Sequence, residues 1–117
     1  MSERRDKDFL LDIQEAVGRI IRYTAGLSHD QFLRDTKTQD AVVRNLEVIG
    51  EATKNLSDAF VQAHPQIPWR NLAGLRDKLI HHYFGISWGI VWTIISEQLP
   101  ELLAQIDRIV QETKWDD

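Results

Sequence analysis

The sequence predicts an all-α fold, an up-and-down bundle of four to five helices. Apolar residues recur at the i, i+3, i+4 spacing of helices along most of the chain, and no convincing alternating strand pattern accompanies them. Hydrophobic residues make up 43% of the 117 residues and charged residues 27%, values ordinary for a globular protein. A chain of this length suits one folded unit, which we take as residues 1–117.

The N-terminal half accounts for three of the predicted helices and for a further turn or two of helix. The first runs from about Lys7 to Tyr23 and ends at Ala25-Gly26, because glycine commonly closes a helix. Its apolar stripe consists of Phe9, Leu10, Ile13, Ala16, Val17, Ile20 and Ile21. Ser28 and Gln31 have capping-box spacing and predict a short helix through Leu33. Thr38 is the expected N-cap of a longer helix, whose apolar positions include Ala41, Val42, Leu46, Ile49 and Leu56. Ser57 is the expected N-cap of a further turn or two through Ala63.

Prolines divide the C-terminal half into two further helices. Pro65 and Pro68 favour extended backbone before a helix from Trp69 to about Tyr83, for which Gly85 is the expected stop. The last helix begins near Ser87. Pro100 has no backbone N–H, so it should kink or split that helix before it continues from Glu101 to about Glu112.

Two tryptophans, Trp88 and Trp92, lie four residues apart and so share one face of the last helix. An aromatic wall of the core is the first interpretation of this pair. A dimer interface, where aromatic anchors are enriched, is the second.

Composition excludes several classes of function. No apolar run approaches the ~18 residues that indicate a membrane span, and the charged start of the chain lacks the apolar core of a signal peptide. The absence of cysteine excludes disulfides and thiolate metal sites, which fits a cytoplasmic protein. A net charge of −4 argues against binding nucleic acid through a broad basic face, so any RNA contact should be focal.

The stretch from Arg76 to Tyr83 carries the candidate chemistry. Arg76 offers a planar fork of donors suited to phosphate oxygens, and His81 can exchange a proton near neutral pH. Together they supply what metal-free cleavage of a phosphodiester requires. Lys78 adds a second cation, and the phenol of Tyr83 follows His81 by two residues.

This motif and its surroundings resemble the HepT-like toxin family, within the HEPN-domain ribonucleases. The resemblance rests on Arg-x4-His-x-Tyr at Arg76, His81 and Tyr83, together with four other blocks that follow in the family's order. These blocks are residues 45–52 (Asn-Leu-Glu-Val-Ile-Gly-Glu-Ala), 65–69 (Pro-Gln-Ile-Pro-Trp), 91–95 (Val-Trp-Thr-Ile-Ile) and 99–100 (Leu-Pro). The resemblance implies a HEPN-like bundle and an RNase toxin silenced by a minimal nucleotidyltransferase antitoxin encoded beside it.

Helix geometry raises a question about the site. His81 lies about 140° round the helix from Arg76, whereas Tyr83 lies only about 20° away from it. Arg76 and His81 could grip one phosphate if the helix distorts before Gly85, or if two copies of the chain share one cleft. We favour the second, because a pair of His81 side chains would provide a proton acceptor and a donor. The resemblance also implies a homodimer with a shared cleft.

Neighbouring residues have supporting interpretations. Asp77 lies four residues before His81 and could orient its imidazole, although an ordinary exposed pair is as plausible. His82 could replace His81 as the reactive histidine, but only His81 matches the family spacing. Gly50 inside a helix indicates a close helix crossing, and the block around it places Glu51 near the motif helix. The histidines show no metal-ligand spacing, so neither metal nor cofactor is expected.

Three functions remain open at the level of sequence. The leading one is a metal-independent endoribonuclease toxin with catalytic Arg76 and His81, supported by Asp77, Lys78 and His82. The resemblance implies that its partner transfers AMP to Tyr83, and an anionic adduct there would compete with RNA for Arg76 and Lys78. The alternatives are a non-catalytic binding subunit of a nucleotidyltransferase complex and a degenerate structural homodimer. The complete Arg76, His81 and Tyr83 set favours the toxin.

Overall fold

Two 19-residue helices form the centre of the molecule. The computed structural model describes residues 4–81 and 85–115, with the backbone alone for residues 80 and 81. Helix α1 (Asp6–Thr24) and helix α3 (Thr36–Lys54) pack along each other and share the largest helix contact of the fold. Each buries a continuous apolar stripe, as their helical periodicity predicts. The described residues form no strand, so the predicted all-α class is confirmed.

Short helices and a long C-terminal helix complete the bundle. Helices α2 (His29–Leu33) and α4 (Asp58–Ala63) precede and follow the central α3, and α5 (Trp69–Ala73) and α6 (Leu75–His81) pack against it. Helix α7 (Trp88–Thr93) leads through a π-helical turn (Ile94–Gln98) into α8 (Leu99–Glu112), which packs on α1. The fully buried core side chains are Leu10, Ile13, Val17, Ile20, Phe32, Val42, Leu46, Ile49, Leu99 and Ile106.

Capping residues explain most helix starts. Ser28 forms the predicted capping box with Gln31, and Ser57 caps α4 through the backbone N–H of Phe60. Ser57 also donates its hydroxyl to Asp6 at 2.7 Å, which ties α4 to the start of α1. Gly26 closes α1 with φ +79°, a conformation that favours glycine.

The predicted cap of α3 was wrong by three residues. Asp35, not Thr38, is the N-cap, and its carboxylate accepts hydrogen bonds from the backbone N–H and the hydroxyl of Thr38 at 3.0 and 2.7 Å. These two bonds lower the pKa of the Asp35 carboxyl, the hydroxyl contributing most. Both residue types are good caps, and the earlier one starts the helix.

Pro100 has the expected effect on the last helix. The helix widens into the π-helical turn just before it, where the N–H of Leu99 donates to the carbonyl of Ile94, five residues back. Pro100 then occupies the first turn of α8, where a missing N–H costs no helical bond. The helix is therefore split, as predicted, and ends at Glu112 as predicted.

The tryptophan pair is partly buried and packs against the core. The Trp88 and Trp92 rings lie 6.1 and 5.2 Å from the buried ring of Phe32, and the His29 ring stacks on Trp92 at 5.7 Å. These contacts hold α7 against α2, and the dimer-interface interpretation of the partly buried pair stays a prediction.

Candidate active site

The predicted motif helix consists of two helices rather than one. Gly74 separates α5 from α6, and its N–H still donates to the carbonyl of Arg70 at 3.2 Å. Helix α6 carries Arg76, Asp77 and Lys78 and is described as far as the backbone of His81. The side chain of His81, and His82 and Tyr83 entirely, lie outside the described residues. The predicted helix end near Tyr83 also falls there.

A close crossing with α3 fixes the backbone of Arg76. A Cβ atom added to Gly50 would lie 2.7 Å from the backbone nitrogen of Arg76 and 3.1 Å from its Cβ. Only a hydrogen fits at such a separation, so glycine allows the two helix backbones to touch. The close helix crossing expected from Gly50 is confirmed, and it sets where Arg76 leaves the bundle.

Glu51 is the acidic neighbour of Arg76. Its Oε2 lies 3.6 Å from Nε of Arg76, and both side chains are about half exposed. This distance is an ion pair but too long for a hydrogen bond, and exposed pairs of this kind contribute little stability. Within the described residues the guanidinium makes no hydrogen bond, which leaves its donors available to a ligand. The expected proximity of Glu51 to the motif helix is confirmed.

Asp77 has a partner on α3. Its Oδ2 accepts a hydrogen bond from Nζ of Lys54 at 2.9 Å, with both groups solvent-accessible. Sequence reasoning had considered only His81 as a partner for this carboxylate. Asp77 therefore helps to hold α6 against α3.

The two cations of α6 point to different sides of the helix. Arg76 lines a cavity of about 220 Å³ between α1, α3 and α6, together with Arg4 and Arg44. Lys78 lines a separate cavity of about 500 Å³ between α5–α6 and the last helix. Two residues along a helix correspond to a rotation of about 200°, which accounts for the separation. The competition of AMP groups on Tyr83 with RNA for these two cations stays a prediction.

Arg44 is a candidate that sequence reasoning missed. Its side chain is exposed and lines the same cavity as Arg76, beside the carboxylates Glu47 and Glu51 of the same helix. Arg44 and Glu51 are seven residues apart, so helical spacing alone places them on one face of α3. This spacing could have indicated Arg44 from the sequence, because Glu51 was expected to lie near the motif helix.

The described residues offer neither a cluster of metal ligands nor a membrane-spanning helix. Across residues 4–81 and 85–115 there is no grouping of three or more His, Cys, Asp or Glu side chains that could hold a metal ion. No helix in this part of the chain is long and apolar enough to cross a membrane.

The helical bundle and the Arg-x4-His-x-Tyr sequence that begins at Arg76 fit the HEPN class of ribonucleases, and comparison with known proteins gives the family. A model of the family described as "Ribonuclease HepT-like" matches residues 13–109, which include α3, α6 and the whole motif. The chain belongs to the HepT-like ribonuclease family.

Curated relatives cover nearly the full chain. A protein of Methanocaldococcus jannaschii, provisionally named an RNase, is 46% identical over 117 residues, all of this chain and 97% of the relative. A protein of Thermococcus cleftensis, named as a probable ribonuclease HepT, is 45% identical over 92% of this chain and 97% of its own length. A provisionally named RNase of Caldanaerobacter subterraneus is 41% identical over 92% of this chain and 96% of its own. No solved structure matches the chain.

Proposed function

We propose that this chain is the toxin of a toxin–antitoxin pair, a metal-independent endoribonuclease in which Arg76 binds the scissile phosphate and His81 performs acid/base catalysis. The observation that carries the proposal is Arg76 itself. Its backbone is fixed by the crossing at Gly50, while its guanidinium is half exposed and, among the residues that the structure describes, has a 3.6 Å ion pair to Glu51 and no hydrogen bond. An arginine held in this way is ready for a phosphate, and family membership supplies the class of reaction.

The proposed chemistry is the internal transesterification of RNA. The 2′-hydroxyl attacks the neighbouring phosphorus, and the bond from phosphorus to the 5′-oxygen breaks, leaving a 2′,3′-cyclic phosphate and a 5′-hydroxyl. One group must accept the proton of the 2′-hydroxyl, and another must protonate the leaving oxygen. Imidazole serves both steps near neutral pH. Arg76 stabilises the negative charge that accumulates on the phosphate oxygens.

A homodimer would bring the required groups into one cleft. Arg76 and His81 are five residues apart, about 140° round a straight helix, so they do not share a face within one chain. Two copies facing each other would place both His81 side chains near one phosphate, one as base and the other as acid. Asp77, Lys78 and His82 remain supporting residues in this proposal.

The proposed regulator is a minimal nucleotidyltransferase that transfers AMP to Tyr83. Such a partner and this chain would both be cytoplasmic. The target of the partner would be a single HEPN-like domain that spans residues 1–117. Support comes from the chain's membership of the HepT-like family and from the phenol two residues after His81.

Substitution of the two catalytic residues tests the proposal. Cleavage of a mixed RNA pool in the presence of EDTA should fall roughly 100-fold or more in both Arg76→Ala and His81→Ala. Arg70→Ala removes an exposed arginine of the neighbouring α5 and is the matched control for charge. His82→Ala should cost much less than His81→Ala.

Several results would contradict the proposal. Wild-type rates in His81→Ala or Arg76→Ala would remove the catalytic assignment, and loss of cleavage in EDTA would remove the metal-independent mechanism. A wild-type chain that binds a nucleotidyltransferase but cuts no RNA would instead favour the non-catalytic subunit.

A further inference from the structure

We propose that the cavity lined by Lys78 is a subsite for one base of the substrate RNA, and that it selects bases carrying an amino group. The inference rests on the proposed ribonuclease function and adds a determinant of cleavage specificity. The cavity lies between α5–α6 and the segment from Ile90 to Gln105, with a volume of about 500 Å³. Pockets that bind small ligands commonly have volumes of this order.

Apolar side chains provide surfaces for the faces of a base. Leu72, Leu99 and Leu102 are buried and form the floor, and Leu75 and Ile94 are half-buried in its walls. These groups offer contact to a flat, weakly polar ring without demanding a hydrogen bond. A base can stack on such surfaces whatever its identity, so the floor contributes affinity rather than selection.

Four amide side chains provide groups for the edge of a base. Gln66, Asn71, Gln98 and Gln105 all line the cavity. None of their side-chain amides forms a hydrogen bond with the part of the protein that the structure describes, so their donors and acceptors are open to a ligand. Each amide carries a donor and an acceptor side by side, a pattern that matches the alternating edge of a nucleobase.

The charges around the cavity favour a base over the phosphate backbone. Glu97 and Glu101 line it on one side and Lys78 on the other, which leaves one net negative charge. A run of phosphates would be repelled by these carboxylates. A neutral base can instead donate its exocyclic amino group to a carboxylate, as cytosine N4 does with Glu or Asp. Adenine, guanine and cytosine have such a group and uracil does not.

The cavity adjoins the helix that carries the proposed catalytic residues, on the side away from Arg76. Lys78 lies between Arg76 and His81 in the sequence of α6, and it is three residues before His81, a spacing at which positions share a helix side. Lys78 can therefore hold a single phosphate at the mouth while the attached base enters the cavity. Ile90, whose side chain is 64% exposed, extends the apolar wall at the rim.

Nucleotide binding to the His81→Ala protein tests the subsite without relying on cleavage. The probes are the four ribonucleoside 5′-monophosphates, with ribose 5-phosphate as a control that has the phosphate but no base. Adenosine, guanosine and cytidine monophosphates should shift the side-chain NH2 signals of Asn71 and Gln105 in NMR spectra. Uridine monophosphate should bind more weakly, and ribose 5-phosphate should leave both signals in place.

Substitutions inside and outside the cavity test which side chains contribute to nucleotide binding. Gln105→Ala should weaken binding of the three amino-bearing nucleotides roughly three- to tenfold, the effect of losing one or two hydrogen bonds. Glu101→Gln should reduce the preference over uridine monophosphate by a similar factor. Gln62→Ala removes an exposed glutamine of α4 that does not line this cavity, and it should bind like the parent protein.

The outcomes separate this inference from the proposed function. Equal shifts with ribose 5-phosphate, or no shift with any monophosphate at millimolar concentration, would overturn the base subsite even if wild type cleaves RNA. Amide signals that change on dilution of the ligand-free protein would overturn it in favour of a second copy of the chain. If wild type cleaves no RNA, the proposed function fails, while selective nucleotide binding would still support a base-binding cavity.

Discussion

Arg76 has its position because Gly50 of α3, which lies opposite it, has no side chain. The backbone of α6 approaches Gly50 so closely that a methyl group there would collide with the Arg76 nitrogen at 2.7 Å. The proposed phosphate-binding cation is thereby placed on a rigid contact between two helices, although its own side chain remains half exposed. A fixed backbone, with a guanidinium that makes no hydrogen bond to the described residues, suits the proposed contact with a ligand.

Substitution of Gly50 should expose this dependence. Gly50→Ala should destabilise the protein by about 1–3 kcal/mol, since the added Cβ meets backbone atoms that move only if the helices separate. Chemical denaturation measures the change. Gly18→Ala is the control, because a Cβ at Gly18 meets only the end of the flexible Arg22 side chain at 3.2 Å. That substitution should be neutral or stabilising by up to about 1 kcal/mol through helix propensity. A neutral Gly50→Ala would contradict the close crossing.

At the residue scale, a prediction from the sequence is confirmed where the residue type has a single structural explanation at its position. Gly50 inside a helix has few uses other than a close approach, and this interpretation is confirmed. Sequence reasoning failed for side-chain direction and partners. Lys54 is 23 residues from Asp77, so nothing local in the sequence indicates that pair. Helical rotation places Arg76 and Lys78 on different sides of α6. The two cavities that they line are formed together with other helices, so the sequence of α6 alone does not indicate them.

At the scale of the helix, caps decide where elements begin. Asp35, Thr36, Lys37 and Thr38 contain two residue types that cap well, and the sequence alone does not rank a first cap against a second. The structure uses both residues, since Thr38 donates two hydrogen bonds to the carboxylate of Asp35. The predicted helix of 69–83 is divided at Gly74 into α5 and α6. A glycine interrupts a helix only when packing favours the interruption, and packing is not visible in the local sequence.

The Asp35 cap should make stability depend on pH. Its folded-state pKa is lowered by the Thr38 hydroxyl and then the Thr38 N–H, so its contribution is present above the unfolded pKa of about 3.9 and is lost as pH falls through the lower folded value. Asparagine caps a helix about as well as aspartate, so Asp35→Asn should lower the melting temperature at pH 7 only slightly, through loss of the charge on the acceptor of the two Thr38 hydrogen bonds. The difference from wild type should shrink as the pH falls below about 4.

Thermal unfolding followed by circular dichroism between pH 7 and pH 3 measures this difference. Asp58→Asn, which removes an exposed carboxylate from the first turn of α4, controls for the change in net charge. A difference between Asp35→Asn and wild type that stays constant, or grows, at acidic pH would contradict the role of the charged cap.

At the scale of the whole molecule, the fold was the most predictable feature. The apolar periodicity of α1, α3 and α8 is strong, and these helices form the core that it implies. The site was less predictable, since its parts come from α1, α3 and α6, and their meeting is a property of packing rather than of local sequence. The proposed shared cleft depends on a further step, the association of two chains.

A mixed dimer tests that shared cleft. If both His81 side chains serve one reaction, a dimer of one wild-type chain and one His81→Ala chain should lose activity roughly 100-fold, as the variant homodimer does. Two affinity tags, purified in sequence, isolate the mixed species, and light scattering checks its mass. A mixed dimer with Arg70→Ala is the control and should remain active. Half of wild-type activity in the His81→Ala mixture would indicate independent sites, and a stable, active monomer would exclude the cleft altogether.

The last prediction concerns control of the molecule through Tyr83. Co-expression with its nucleotidyltransferase should add about 329 Da and one phosphodiester charge for each AMP transferred to the phenol. Tyr83 is seven residues after Arg76, about 20° away on a continuous helix, so the new anions should compete with RNA for Arg76 and Lys78. Tyr83→Phe should fold normally and resist neutralisation by the partner, whereas Tyr23→Phe, which changes the chain's other tyrosine, should be modified and neutralised like wild type. Mass spectrometry of the intact chain measures the transfer, and RNA cleavage by the same sample measures its effect. An unmodified Tyr83 in a fully neutralised complex would mean that the partner blocks the cleft by occupying it, and the transfer mechanism would be wrong.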